Sequence, residues 1–204
     1  MKITSLTSLA ISWVLAVAVG FGVLLNHQNT PGAAANSAGS WPMDTGVVRD
    51  SSEATIIVAA HPKCPCTRAT IGELARLMAR CQGKVSAKVL FLKPKGVTDN
   101  WEKTDLWRSA AAIPGVIPVT DAQGLEARRF GAKTSGQTFL FDKNGRLLFS
   151  GGITASRGHS GDNTGIDSIE ALLTTGKSAQ HSTPVFGCSL VDPSTETAVN
   201  PASL

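Results

Sequence analysis

Cys64, Pro65 and Cys66, preceded by His61 and Lys63, form the one stretch of this chain whose residue types and spacing suggest covalent chemistry. Four cysteines in 204 residues are too few for a disulfide-built scaffold. Pro65 can occupy a first helical position, where its missing N–H costs nothing. Cys64 then meets free amides and the positive end of a helix dipole, which favour thiolate over thiol and lower its pKa below about 8.5. Lys63 and His61 add positive charge when protonated. The spacing points to Cys64 as a nucleophile that forms a mixed disulfide and Cys66 as the thiol that resolves it. Passive or ligated cysteines are the blander alternative. A Cys64–Cys66 ring joins residues two apart, and such distortion makes a disulfide oxidising.

The other thiols are judged by reach. Cys81 follows Cys66 by 15 residues, roughly 22 Å along a continuous helix, so the two cannot pair. It shares an apolar stripe with Ile71, Leu74 and Met78 and reads as an inert core residue. Cys188 lies beside Pro184, Val185 and Phe186 in the tail, and a resolving or ligating role weighs evenly against a plain tail position. His61 is a loop residue, a base or a metal ligand. A set of His61, Cys64, Cys66 and Cys188 would suit Cu(I), making copper delivery the alternative to a cofactor-free redox protein. Zinc is less favoured, because a structural site wants four ligands. Peroxide reduction through a sulfenic acid would use the same Cys64 thiolate. His159 reads as a turn residue, and Trp101 and Trp107 as packing.

The elements that must position these groups are legible in outline. Ala54–Ala60 is an apolar, β-branched run that predicts a strand buried on both faces. The stretch after Cys66 predicts an amphipathic helix stopped by Gly83. Lys88–Leu92 predicts a second strand, and strand, helix, strand in this order makes a right-handed βαβ unit. Helices are predicted over 100–112, ended by Pro114, and over 123–130. Thr138–Phe141 and Leu147–Ser150 flank Asp142-Lys143-Asn144-Gly145, a hairpin signature. A Gly-rich loop over 157–165 leads to a last helix at about 166–174.

Composition bounds the rest. A 42% hydrophobic and 17% charged chain of 21.2 kDa makes one compact domain, and its +4 charge, spread without a dense block, sets nucleic acid aside as a partner. Leu6–Leu25 carries no charge over 20 residues, enough to span a bilayer. An uncleaved anchor is favoured over a cleaved signal, because Ala33–Ala35 lies well past the apolar run. Lys2 keeps the N-terminus in the cytoplasm. The chain divides into an anchor at 1–25, a flexible Gly/Ala/Ser-rich tether at 26–46, a domain at 47–176 and an irregular tail at 177–204. The expected address is the inner membrane, single-pass, with the domain in the periplasm, where thiols can be oxidised.

This order of elements, with the thiols opening the first helix, resembles the thioredoxin fold: an α/β domain with a central mixed sheet flanked by helices, here preceded by one transmembrane helix. The stretch DAQGLEARRFGAKTSGQTFLFDKNGRLLFSGG resembles the matching segment of membrane-tethered TlpA/ResA-type thiol–disulfide oxidoreductases. HPKCPCTRATIGELARL, with SGGITASRGH and PVFGCSL, is similar to the RedB-like group. The resemblance implies protein thiols or disulfides as partners. Cys64, Cys66 and His61 are the expected catalytic residues, and Lys63, Pro65, Gly136 and Gln137 the expected substrate surface. The family places two residues between its cysteines, where this chain has only Pro65, and carries a cis-proline before the hairpin strand, where this chain has Gly136-Gln137. The family's buried carboxylate has no counterpart in ATIIVAA, which leaves proton transfer to His61, Lys63 or water.

Overall fold

The computed structural model describes residues 2–190 and divides into two compact units, Met1–Thr30 and Pro31–Leu204. The first unit is helix α1, Lys2–Asn29. Within its Leu6–Asn29 stretch of 24 residues an 18-residue window reaches a mean hydropathy of 2.3, and the stretch is long and apolar enough to cross a membrane.

The second unit holds a five-stranded sheet in the order β3-β2-β1-β4-β5. Strand β1 (Ala54–Ala60) opens it and leads into α2 (Pro65–Arg80). Strand β2 (Val85–Lys93) returns parallel to β1, with Ala54 opposite Val85 and Ala60 opposite Phe91. Helix α3 (Asp105–Ala111) then leads to β3 (Val116–Ala122), parallel to β2 at the sheet edge. Helix α4 (Leu125–Arg129) precedes the antiparallel hairpin of β4 (Thr138–Phe141) and β5 (Leu147–Gly151), in which β4 runs against β1. Helix α5 (Thr164–Thr175) closes the series. This mixed sheet flanked by helices, with an apolar helix ahead of it, is the expected thioredoxin-like arrangement.

Strand β1 is central because its side chains bury on both faces. Ile56, Val58 and Ala60 join Leu74 and Leu77 of α2 and Ile169 of α5, whereas Ile57 and Ala59 join Phe130, Phe139 and Phe141. Cys81, 1% exposed, belongs to the first cluster. The hairpin turns where Asn-Gly predicts it, with Gly145 at φ +84° and the Asp142 carboxylate accepting from the amides of Asn144 and Arg146. Asn163 caps α5 by accepting from the Ile166 amide at 2.9 Å, and Gly176 ends it in the left-handed conformation.

Several elements differ from expectation. Strand β3 is not foreseen: Pro118 interrupts its pattern, and an edge strand is where proline is tolerated. Residues 100–104 turn instead of coiling, with Asn100 at φ +64°, so α3 begins only after Thr104. Helix α1 continues past residue 25 to Asn29. Beyond Pro31 the expected tether follows the body. Gly32 donates to the Val185 carbonyl at 2.8 Å, Asn36 donates to Gly131 at 3.0 Å, and the Trp41 ring stands edge-on to Phe130 and Phe141. The small residues of this segment let its main chain approach that surface. The predicted tail is irregular over 177–190, exposed for the most part up to Pro184 and buried at Val185, Gly187 and Leu190, and its remainder, residues 191–204, lies outside the described residues.

Candidate functional site

The site forms where β1 stops and α2 starts. Cys64 has extended backbone (φ −87°, ψ 122°) and is the N-cap of α2, with Pro65 in the first turn. The loop before it is fixed by Ser135, whose hydroxyl accepts from the His61 amide at 2.9 Å and lies 2.8 Å from the Thr67 hydroxyl. On its other flank the Thr104 hydroxyl donates to the Pro62 carbonyl at 3.0 Å. The Lys63 ammonium sits 4.4 Å from the centre of the Trp101 ring, against which the His61 ring stands edge-on.

Cys64 is 2% exposed and Cys66 8%, and all four cysteines are free thiols. The Cys64 sulfur is 3.0 Å from that of Cys188, which arrives from the tail 124 residues away in sequence. Two backbone links and one from a side chain carry Cys188 there. The Ser135 amide donates to the Cys188 carbonyl at 2.8 Å, Leu190 donates to Lys133 at 2.9 Å, and Arg157 donates through Nη1 to the Gly187 carbonyl at 2.5 Å. Gly187 is required at its place, because a Cβ there would overlap the Ser135 carbonyl.

The three thiols differ in acidity. Burial opposes ionisation of Cys64, but the Cys188 thiol and the amides of Cys188, Thr67 and Cys66 outweigh it, so Cys64 falls below its ordinary value. No hydrogen bond with capping geometry reaches the Cys64 side chain, so the first-turn amides act as nearby dipoles. Burial and the neighbouring Cys64 charge push Cys66 up, with the Arg157 guanidinium opposing. Burial of its sulfur, the hydrogen bond to Cys64 and that residue's charge push Cys188 up to about 12, although the residue keeps an exposed face. Cys64 is the thiol poised to ionise first, with Cys188 as its hydrogen-bond donor. Burial, then the Lys63 charge, lower His61 and keep its ring neutral.

The remaining sequence candidates are placed as follows. Lys63 and Pro65 are exposed at the mouth of the site. Gly136, at φ +92°, borders the start of α2 and donates to the Ala59 carbonyl at 2.8 Å. The Gln137 side chain turns away and donates to Ser150 at 3.1 Å. His61 does not join the sulfurs: its Nδ1 accepts from the Lys63 amide at 3.2 Å and its ring meets Trp101. Among the described residues no group of three His, Cys, Asp or Glu is placed to hold a metal ion. Ser135, Thr67 and Arg157 are new to the site. Hydroxyls and a lone arginine in polar loops carry no sequence signal, though the position of Arg157 in the loop after the hairpin is a hint.

No protein-family model matches the chain, and no curated protein matches it in sequence. Solved structures do. A hypothetical protein from Sinorhizobium meliloti is 20% identical with a TM-score of 0.57, covering 80% of this chain and 96% of its own. An uncharacterized conserved protein from Geobacillus kaustophilus is 21% identical with a TM-score of 0.56, covering 81% and 94%. A secreted disulfide oxidoreductase of Mycobacterium tuberculosis, homologous to DsbE, is 11% identical with a TM-score of 0.44, covering 61% and 82%. At these identities the likeness is one of fold.

Proposed function

We propose that this chain is a membrane-tethered, extracytoplasmic thiol–disulfide oxidoreductase acting on the thiols or disulfides of other proteins, with Cys64 of the Cys-Pro-Cys motif as its attacking group. The observation that carries the reading is the Cys64 sulfur at the start of α2, favoured as thiolate by its neighbours. Attack on a disulfide gives a mixed disulfide, and a second thiol of this protein releases it. Cys66 and Cys188 both interact with the Cys64 sulfur and are the two thiols available for that step. The apolar N-terminal helix supports anchoring to the inner membrane with the domain in the periplasm, in keeping with the RedB-like and TlpA/ResA-type resemblance of the motifs.

Alkylation of Cys64 in the full chain at neutral pH, with and without Cu(I), tests the reading. Labelling faster than that of Cys81 and indifferent to copper is expected. Strong protection by Cu(I) would favour metal delivery, and slow labelling in both conditions would remove redox function altogether.

A further inference from the structure

We infer that Cys188 is the thiol that closes on Cys64, and that the segment 181–190 carrying it lies where an extended substrate chain must lie. The inference rests on the exchange chemistry proposed above and names its second thiol and the form of its substrate.

The segment is a strap held by main chain on both sides of its cysteine. Ser150 donates to the His181 carbonyl at 3.0 Å, the Thr183 hydroxyl donates to Gly152 at 2.7 Å, and Thr134 pairs antiparallel with Ser189. The glycines of the groove allow this approach. A Cβ at Gly152 would come within 2.6 Å of the Pro184 carbonyl, and one at Gly187 would overlap Ser135. The 3.0 Å between the sulfurs is thus fixed by backbone, and oxidation needs only a small movement to join them. Cys66 is less well suited, since residues two apart in sequence close a distorted ring.

The electrostatics order the two steps. While Cys64 is a thiolate, Cys188 is held protonated as its donor. Cys64 attacks one sulfur of a substrate disulfide, that S–S bond breaks, and one substrate thiolate leaves. Cys64 now carries no charge, so two of the causes that hold the Cys188 proton vanish. Cys188 gives up its proton to solvent or to the departed thiolate and attacks the Cys64 sulfur, and the second substrate thiolate leaves. The substrate disulfide gains two electrons and, in all, two protons, while Cys64 and Cys188 are oxidised to a disulfide. Run backwards, the same steps oxidise a substrate dithiol.

The strap also identifies how substrate approaches. With Cys64 2% exposed, an incoming chain must lift residues 186–189 and can pair with the main chain of 133–135 while they are lifted, and the strap settles back before Cys188 attacks the mixed disulfide. Extended cysteine-containing segments fit that edge, with main chain giving affinity.

The test is a disulfide map of the full chain in detergent after oxidation with glutathione disulfide and quenching. A Cys64–Cys188 link is expected in the wild type and in Cys66→Ser, and in Cys188→Ala the glutathione adduct on Cys64 should persist at least about tenfold longer. A Cys64–Cys66 link in the wild type, or adduct clearance in Cys188→Ala at the wild-type rate, overturns the inference and leaves the exchange reading standing. No adduct on Cys64 in any variant, with circular dichroism unchanged, overturns both.

Discussion

The hydroxyl of Ser135 lies 2.8 Å from that of Thr67, joining the turn before β4 to the first turn of α2. Ser135 also accepts from the His61 amide and, through its own amide, holds the Cys188 carbonyl, so one buried residue sets both sides of the thiol site. Ser135→Ala leaves the His61 amide and the Thr67 hydroxyl without this partner, a loss of roughly 1–3 kcal/mol for buried groups. The expected outcome is a denaturation midpoint lowered accordingly, together with slower Cys64 alkylation at neutral pH. Alkylation at the wild-type rate would show that Ser135 does not position the sulfur.

The hydrogen bond from Cys188 sets a pH dependence. Cys64 is held below its ordinary value of 9.0, so alkylation should rise with pH to a midpoint below that value. Cys188→Ala removes the donor, and the midpoint should move up, with a slower rate at neutral pH and a rate on the alkaline plateau at least as high as that of the wild type. The linkage has a definite sign. A thiol whose folded pKa is depressed stabilises the fold above its unfolded pKa, and that stability is lost as pH falls through the folded value. Wild type should therefore gain stability relative to Cys188→Ala as pH rises from the folded Cys64 value toward 9.0. It should lose it again at higher pH, where Cys188, pushed up to about 12 in the fold, ionises only on unfolding; chemical denaturation measures both. A midpoint unmoved by Cys188→Ala would refute the role of the donor.

His61 offers a second titration. Burial first and the Lys63 charge second hold it below its ordinary 6.5. Neutral imidazole is favoured in the fold, so the contribution of His61 is complete above pH 6.5 and is lost as pH falls through the folded value. Lys63→Gln should raise the His61 pKa toward the ordinary range, read from its ring proton by NMR, and should shrink the loss of stability in mild acid. If the ring titrates identically in both proteins, Lys63 is held too far away, over Trp101, to matter.

The parts of this fold that rest on local signals were readable without coordinates. An uninterrupted apolar run makes β1, Asn-Gly makes the hairpin, and Pro65 after Cys64 makes the start of α2. Strand β3 was not, because Pro118 breaks its pattern and only the neighbouring β2 supplies the pairing. The helix expected from residue 100 starts late because the chain turns at Asn100, a left-handed position with no strong local signal, and Trp101 serves instead as a platform for Lys63 and His61. At the site, Cys64 and Cys66 were visible from their spacing alone. The contact of Cys64 with Cys188 depends on where the chain delivers an irregular segment 124 positions further on, which no local pattern encodes.

The strap itself can be tested at a residue with no reactive group. Gly187 lies against the Ser135 carbonyl so closely that any Cβ must push the two apart. Gly187→Ala should lift residues 186–189 while leaving the sheet and α2 untouched. Two opposite effects on Cys64 follow, since it becomes more accessible and also loses its donor, and pH separates them. On the alkaline plateau, where ionisation is complete, alkylation should be faster than in the wild type; at neutral pH the gain should shrink or reverse. Formation of the Cys64–Cys188 link under glutathione disulfide should slow in parallel. If plateau alkylation matches the wild type, access to Cys64 is not governed by the strap, and the route by which a substrate reaches that sulfur lies elsewhere on the surface.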